Sequence, residues 1–138
     1  MAKKNQMFVL VAVVMLFAAP AGAGPDVQEG MWEITTVTEL SGTAIQMPSQ
    51  KHTQCFTTDD LVPIDPKAPQ SCVIKEKRYE GNTVNWTMEC SSNGVKTVST
   101  GSIVYDKDSF SGGMEIAVGD SDMKLVNTMS GRRLGPCE

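Results

Sequence analysis

Beyond its first two dozen residues the chain carries no helical period; polar and apolar positions alternate instead, the pattern of half-buried strands. In Met31–Leu40, Trp32, Ile34 and Leu40 fall on one side and Glu33 and Glu39 on the other. Ser41-Gly42-Thr43 turns the chain. Ile45–Phe56 reads as a second strand interrupted at Pro48, because proline cannot donate to a ladder and belongs at an edge or a bulge. Thr57–Leu61 reads as a capped helical turn, and Pro63, Pro66 and Pro69 hold an irregular connection up to Ser71.

From Cys72 onward the turn signals are regular enough for strand register to be computed. A three-residue loop at Glu80-Gly81-Asn82 places Cys72 opposite Cys90, Ile74 opposite Met88, Glu76 opposite Trp86 and Arg78 opposite Val84. Asn93-Gly94 is a strong type I′ hairpin signal and sets Trp86 opposite Gly101, Val84 opposite Ile103 and Cys90 opposite Thr97. A two-residue turn at Lys107-Asp108 sets Tyr105 opposite Phe110, Ile103 opposite Gly112 and Gly101 opposite Met114. One at Asp120-Ser121 sets Val118 opposite Met123, Ile116 opposite Leu125 and Gly112 opposite Met129. All four registers agree on one inner face, and a one-residue slip would turn each strand's apolar set outward.

The opposite face collects Lys75, Lys77, Asn85, Thr87, Glu89, Lys96, Glu115 and Lys124, with Val73, Val98, Val104 and Val126 as apolar exceptions. On the inner face, Gly101 and Gly112 sit beside Trp86 and Ile103, where missing side chains let a sheet bend and a ring lie over the backbone. The predicted fold is all-β: a strongly curved antiparallel meander or small β-barrel of about seven strands.

Composition adds the compartment. Lys3 and Lys4, the apolar run Met7–Ala19 and Ala21-Gly22-Ala23 form an export signal over residues 1–23, leaving 24–138 as a single β domain. The run is short of the roughly 20 residues a bilayer span needs, so no transmembrane segment is expected in the mature chain. The net charge of −4 becomes −6 without Lys3 and Lys4, which argues against nucleic acid as a partner. All four cysteines lie in the exported part, where an oxidising compartment favours disulfides. Four cysteines allow three connectivities, and spacing alone does not choose among them. The hairpin register, which opposes Cys72 and Cys90, favours that bridge and leaves Cys55 to Cys137.

Few constellations carry chemistry. His52, the single histidine, stands among Lys51 and Gln54 on what reads as a solvated strand face. Met88, Met114, Met123 and Met129 share the inner face; thioethers suit copper(I), but methionine also fills irregular cores, and the filler reading is preferred. Asp120 and Asp122 lack the rest of a calcium loop, and Asn85-Trp86-Thr87 matches a glycosylation acceptor in mid-strand. There is no G-x-S-x-G elbow, and one histidine leaves little room for a hydrolytic triad. Polar Glu76, Arg78, Thr97, Ser99 and Asn127 fall on the computed inner face near Trp86, Tyr105 and Phe110. They read either as a Glu76 to Arg78 pair at a barrel mouth or as a ligand pocket.

Gly30-Met31-Trp32-Glu33-Ile34-Thr35, Thr53-Gln54-Cys55-Phe56-Thr57 with its acidic pair, the Cys72 to Cys90 hairpin turning through Gly81-Asn82-Thr83-Val84, and Met129–Cys137 together resemble the bacterial exported family called domain of unknown function 3617 (DUF3617). The resemblance spans essentially the whole mature chain. It implies location and architecture, and no activity that could be carried over.

The expectation is therefore a periplasmic or secreted, non-enzymatic module without cofactor or metal. Its concave face binds a small amphipathic ligand through Trp86, Arg78, Glu76, Tyr105 and Phe110. The alternatives are an envelope interaction protein that adds a strand to a partner through the Met31–Leu40 or Ile45–Phe56 edge, and a methionine-based copper binder.

Overall fold

The structure is a computed structural model, and residues 24–64 and 71–138 are described. The export signal over residues 1–23, Pro66 and Pro69 lie outside the described residues. Seven strands are formed: β1 (Gly30–Leu40), β2 (Gln50–Phe56), β3 (Ser71–Glu80), β4 (Thr83–Ser92), β5 (Val95–Asp106), β6 (Ser109–Val118) and β7 (Lys124–Gly135). They make one antiparallel sheet in the order β2-β1-β7-β6-β5-β4-β3. Strands β3 to β7 are the predicted meander, and β7 then takes β1 as its other neighbour, with Thr36 opposite Met129 and Thr38 opposite Asn127. The sheet curls without closing: β2 and β3 are its two edges, so the molecule is a half-barrel and not a complete barrel.

The registers computed from the Asn93-Gly94 and Lys107-Asp108 turns hold throughout, from Trp86 opposite Gly101 to Tyr105 opposite Phe110. Asn93 (φ 50°) and Gly94 (φ 77°) adopt the two left-handed conformations a type I′ turn demands. Between β6 and β7 the pairs Ile116 with Leu125 and Gly112 with Met129 also hold. The connection there is wider than two residues: Val118 N–H donates to Met123 O at 3.4 Å, and Met123 is half exposed instead of facing the interior.

Three expectations change. The β3–β4 hairpin turns on two residues, Gly81-Asn82, with Gly81 at φ 58°, so Glu80 pairs with Thr83. Cys72 still faces Cys90 because β3 carries one extra residue between Ile74 and Glu76, a bulge at Lys75. The two one-residue differences cancel from Ile74, which still faces Met88, back to the cysteines, and reverse the faces between the bulge and the turn: Glu76 pairs with Thr87 and Arg78 with Asn85, on the outer face, while Lys77 and Tyr79 oppose Trp86 and Val84. The second strand begins only at Gln50, beyond Pro48, with Gln46 making an isolated bridge to Glu39. Thr57–Leu61 is a tight turn closed by Asp60 N–H to Thr57 O at 3.0 Å, not a helical turn, since Pro63 leaves no room for one to propagate.

One end of the half-barrel is filled. Trp32, Phe56, Tyr105 and Phe110 pack with ring centroids 5.5–6.2 Å apart, and Leu61 and Val62 are buried across them. Tyr105 Oη donates to the Leu61 carbonyl at 2.6 Å, and Trp32 Nε1 donates to Gln28 O at 3.1 Å, so both polar handles of this cluster are satisfied. Disulfides Cys72–Cys90 and Cys55–Cys137 staple the β3–β4 hairpin and the end of β2 to the C-terminus. Loop-closure entropy assigns them roughly 3 and roughly 4.5 kcal/mol. With no free cysteine among the described residues, the protein suits a non-cytoplasmic environment.

Candidate functional site

The other end of the half-barrel is not filled. The row of concave-face positions running from β1 to β4 reads Thr38, Asn127, Met114, Gly101, Trp86, and the next row reads Leu40, Leu125, Ile116, Ser99, Met88. Apart from Trp86 these rows contain no aromatic ring, and Gly101 supplies no side chain. Trp86 uses that absence: its Cζ2 lies 2.1 Å from where a Gly101 Cβ would stand, so the indole lies flat on the β5 backbone. What remains is a cavity of about 350 Å³ on the concave face.

Its walls are apolar: Met88, Met114, Ile116, Leu125, Met129 and the Cys72–Cys90 disulfide. Polar groups enter at a few points. Ser99 and Asn127 are buried, and Asn127 Oδ1 accepts a hydrogen bond from Thr38 Oγ1 at 2.8 Å. Trp86 is only 2% exposed, and its Nε1–H has no acceptor among the described residues. His52 also lines the cavity, with a buried Nε2 that has no partner. Among the described residues, no Asp, Glu, Lys or Arg lines it. An apolar hollow with a few convergent polar atoms is the usual form of a small-molecule site, and its volume falls at the lower end of the roughly 300–1,000 Å³ such sites occupy.

A second depression of about 550 Å³ lies on the outer face, floored by Gly113 and walled by Glu76, Arg78, Thr100, Ser102, Glu115 and Thr128. Those six side chains are exposed. Although larger, it is the weaker candidate: its lining polar groups are already solvated and gain little from a ligand. The Arg78 Nε to Glu76 Oε1 pair, at 3.4 Å and with both side chains more than 60% exposed, contributes little on its own.

The five residues expected to form a ligand site thus fall in three places. Trp86 lines the concave cavity and also the outer depression, which Glu76 and Arg78 line as well. Tyr105 and Phe110 belong to the filled aromatic end, where burial pushes the Tyr105 hydroxyl far above the ordinary tyrosine range, with Asp60 adding to the effect. Glu76 and Arg78 are on the outer face because the two-residue Gly81-Asn82 turn sets their register, the β3 bulge only bringing Cys72 back opposite Cys90. Thr97, Ser99 and Asn127, placed inside from register, do line the cavity. His52, expected on a solvated strand face, instead shares the concave face, being four residues from buried Phe56 on the same strand and opposite Ile34. That parity was a usable signal.

Among the described residues no three His, Cys, Asp or Glu side chains are grouped to hold a metal, and no helix is long and apolar enough to cross a membrane. No curated protein and no solved structure matches the chain. Residues 27–137 match the family described as "Protein of unknown function (DUF3617)", and the chain belongs to that family.

Proposed function

We propose that the protein is an exported, non-enzymatic binding module that holds a small amphipathic molecule in the cavity of its half-barrel. The observation that carries this reading is the cavity itself: one end of the sheet is packed with four aromatic rings, while the other leaves about 350 Å³ between apolar walls. A protein of this size gains stability by filling its interior, and a preserved hollow with an unsatisfied buried donor costs it some. Binding returns that cost. Among the described residues of the lining His52 is the one titratable group, with no carboxylate among them to orient it, which supports binding over acid–base or nucleophilic chemistry. The two disulfides support an oxidising, exported setting.

A second reading has its own observation. Met88, Met114 and Met129 line the same cavity as His52, and thioethers with an imidazole suit copper(I). Strand addition to an envelope partner has less support. Of the two strands expected to pair with a partner, β1 is internal and only β2 is an edge; the other edge, β3, carries a bulge and Lys75, Glu76, Lys77 and Arg78, devices that keep other chains from pairing.

The test is native mass spectrometry of protein purified from its own cells. The expected result is a mass excess of one small organic molecule that is lost on denaturation. A bare polypeptide mass that takes up nothing from an amphipath panel overturns the reading, and a copper adduct transfers it to the second.

A further inference from the structure

We propose that Cys72–Cys90 is a redox switch: reduction by a dithiol lets the first part of β3, residues 71–74, leave β4 and opens the wall of the cavity. The release of β3 stands on hairpin geometry alone, and its effect on a ligand rests on the cavity being a binding site.

The ladder sets the distance between the two cysteines. The two-residue Asn93-Gly94 turn makes Ser92 and Val95 a hydrogen-bonded pair, and alternation along β4 makes Cys90 and Thr97 another. Cys90 therefore turns its backbone N–H and C=O toward β5, so Cys72 and Cys90 form a non-hydrogen-bonded pair, the closer of the two kinds. Their Cα atoms stand 4.0 Å apart, below the roughly 4.4–6.8 Å that disulfides prefer. Cys55 and Cys137 are not ladder partners, and their Cα atoms stand 5.6 Å apart, within that range. Opening Cys72–Cys90 relieves a conflict between ladder and bridge; opening Cys55–Cys137 relieves none.

β3 is placed to respond. Of its ten residues Cys72 alone is not exposed, so the disulfide is the strand's side-chain tie to the core. The bulge at Lys75 divides its ladder. Residues 76–80 stay tied through the Gly81-Asn82 turn, whereas residues 71–74 keep four backbone pairings and the exposed Lys75 to Glu89 ion pair, which contributes little. An edge segment with so few buried contacts opens locally at low cost once the bridge is gone. Cys72, Cys90 and Met88 line the cavity, so its departure uncovers that wall.

The exchange balances with a dithiol oxidoreductase of the same compartment as reductant. Its thiolate attacks Cys72 Sγ, half-buried on the edge strand, and displaces Cys90 as a thiolate. The reductant's second thiol then breaks the mixed disulfide and displaces Cys72. The two cysteines gain two electrons and two protons, and the dithiol leaves as a disulfide.

The test equilibrates protein purified from its own cells, anaerobically at pH 7, with graded ratios of reduced to oxidised dithiothreitol; free thiols are trapped by alkylation and the peptides mapped. Ratios are read at equilibrium and not as rates, because Cys55 and Cys137 are the more exposed pair. Cys72–Cys90 should open at a ratio at least about a hundredfold lower than Cys55–Cys137, a difference of about 60 mV. In the half-reduced protein, amide exchange should lose protection over residues 71–74 and keep it in β5, β6 and β7, and methyl nonanoate should bind at least about tenfold more weakly than to the oxidised form. Opening of both bridges at one ratio, or of Cys55–Cys137 first, overturns the switch, as does unchanged exchange over residues 71–74 or loss of protection throughout the sheet. Equal binding by both forms overturns the control of the cavity. Oxidised protein that takes up no methyl nonanoate overturns the cavity reading itself, a result distinct from every outcome of the mapping and the exchange.

Discussion

Gly101→Ala is the sharpest single perturbation of this fold. A Cβ at position 101 would stand 2.1, 2.3 and 2.7 Å from Cζ2, Cε2 and Cη2 of Trp86, so the ring must retreat by about 1.3 Å to reach ordinary contact at 3.4 Å. It retreats into a cavity on one side and against buried neighbours on the other, at a position only 2% exposed. Overpacking of this kind costs about 1–3 kcal/mol, and three ring atoms in conflict place the substitution near the top of that range. Alanine's lower unfolded-state entropy returns about 0.4–1 kcal/mol, leaving a net loss of about 2 kcal/mol. With a urea slope of about 1–3 kcal/mol/M, the midpoint falls by about 1 M. Urea unfolding followed by tryptophan emission measures it, with Ser102→Ala on the exposed outer face as a control expected within about 0.5 kcal/mol of wild type. A Gly101→Ala protein as stable as the control, with unchanged Trp86 emission, would refute the placement of the indole on β5.

Tyr105→Phe strands the buried Leu61 carbonyl and should cost about 1–3 kcal/mol, read as a lower urea midpoint at pH 7. It also has a pH signature. Burial, with Asp60 adding to it, keeps Tyr105 protonated in the folded state far above the ordinary range, so above about pH 10 the unfolded state loses a proton the folded state retains. Stability then falls by about 1.4 kcal/mol per pH unit in wild type, and the comparison with Tyr105→Phe isolates that slope. A non-reducing peptide map should link Cys55 to Cys137 and Cys72 to Cys90; paired serine replacements should cost roughly 4–5 and roughly 3 kcal/mol, and a larger loss at the shorter loop would contradict the loop-entropy account. Met114→Leu with Met129→Leu keeps cavity volume, so amphipath binding should stay within about threefold of wild type by titration calorimetry. Loss of anaerobic copper(I) uptake in that variant, with uptake in wild type, would favour the metal reading.

The meander was legible because short turns count residues: Asn93-Gly94 and Lys107-Asp108 each fix a register, and period-two patterning fixes the face. The bulge at Lys75 was not, because an extra residue in an exposed edge strand changes no apolar pattern. β3 is exposed along almost its whole length, so nothing buried marks which of its side chains face inward. The bulge hid the fact that the turn is one residue shorter than the opposed cysteines imply, and that shorter turn put Glu76 and Arg78 on the outer face. The pairing of β1 with β7, and hence the half-barrel, depends on contacts between residues about a hundred apart, such as Thr38 with Asn127, which no local signal encodes. The division into a filled and an open end was half visible: Trp32, Phe56, Tyr105 and Phe110 are plain in sequence, but their convergence at one end follows only once β1 and β2 are placed.

The central claim is that the hollow under Trp86 is a binding site. Ile116→Trp projects a large ring into that hollow from a half-buried position away from the aromatic core. Titration calorimetry of methyl nonanoate into wild type and Ile116→Trp, both verified as folded by far-ultraviolet circular dichroism, tests it directly. The account predicts saturable one-to-one binding to wild type and at least a tenfold loss in the variant. Equal binding by both proteins, or none by wild type, would contradict it.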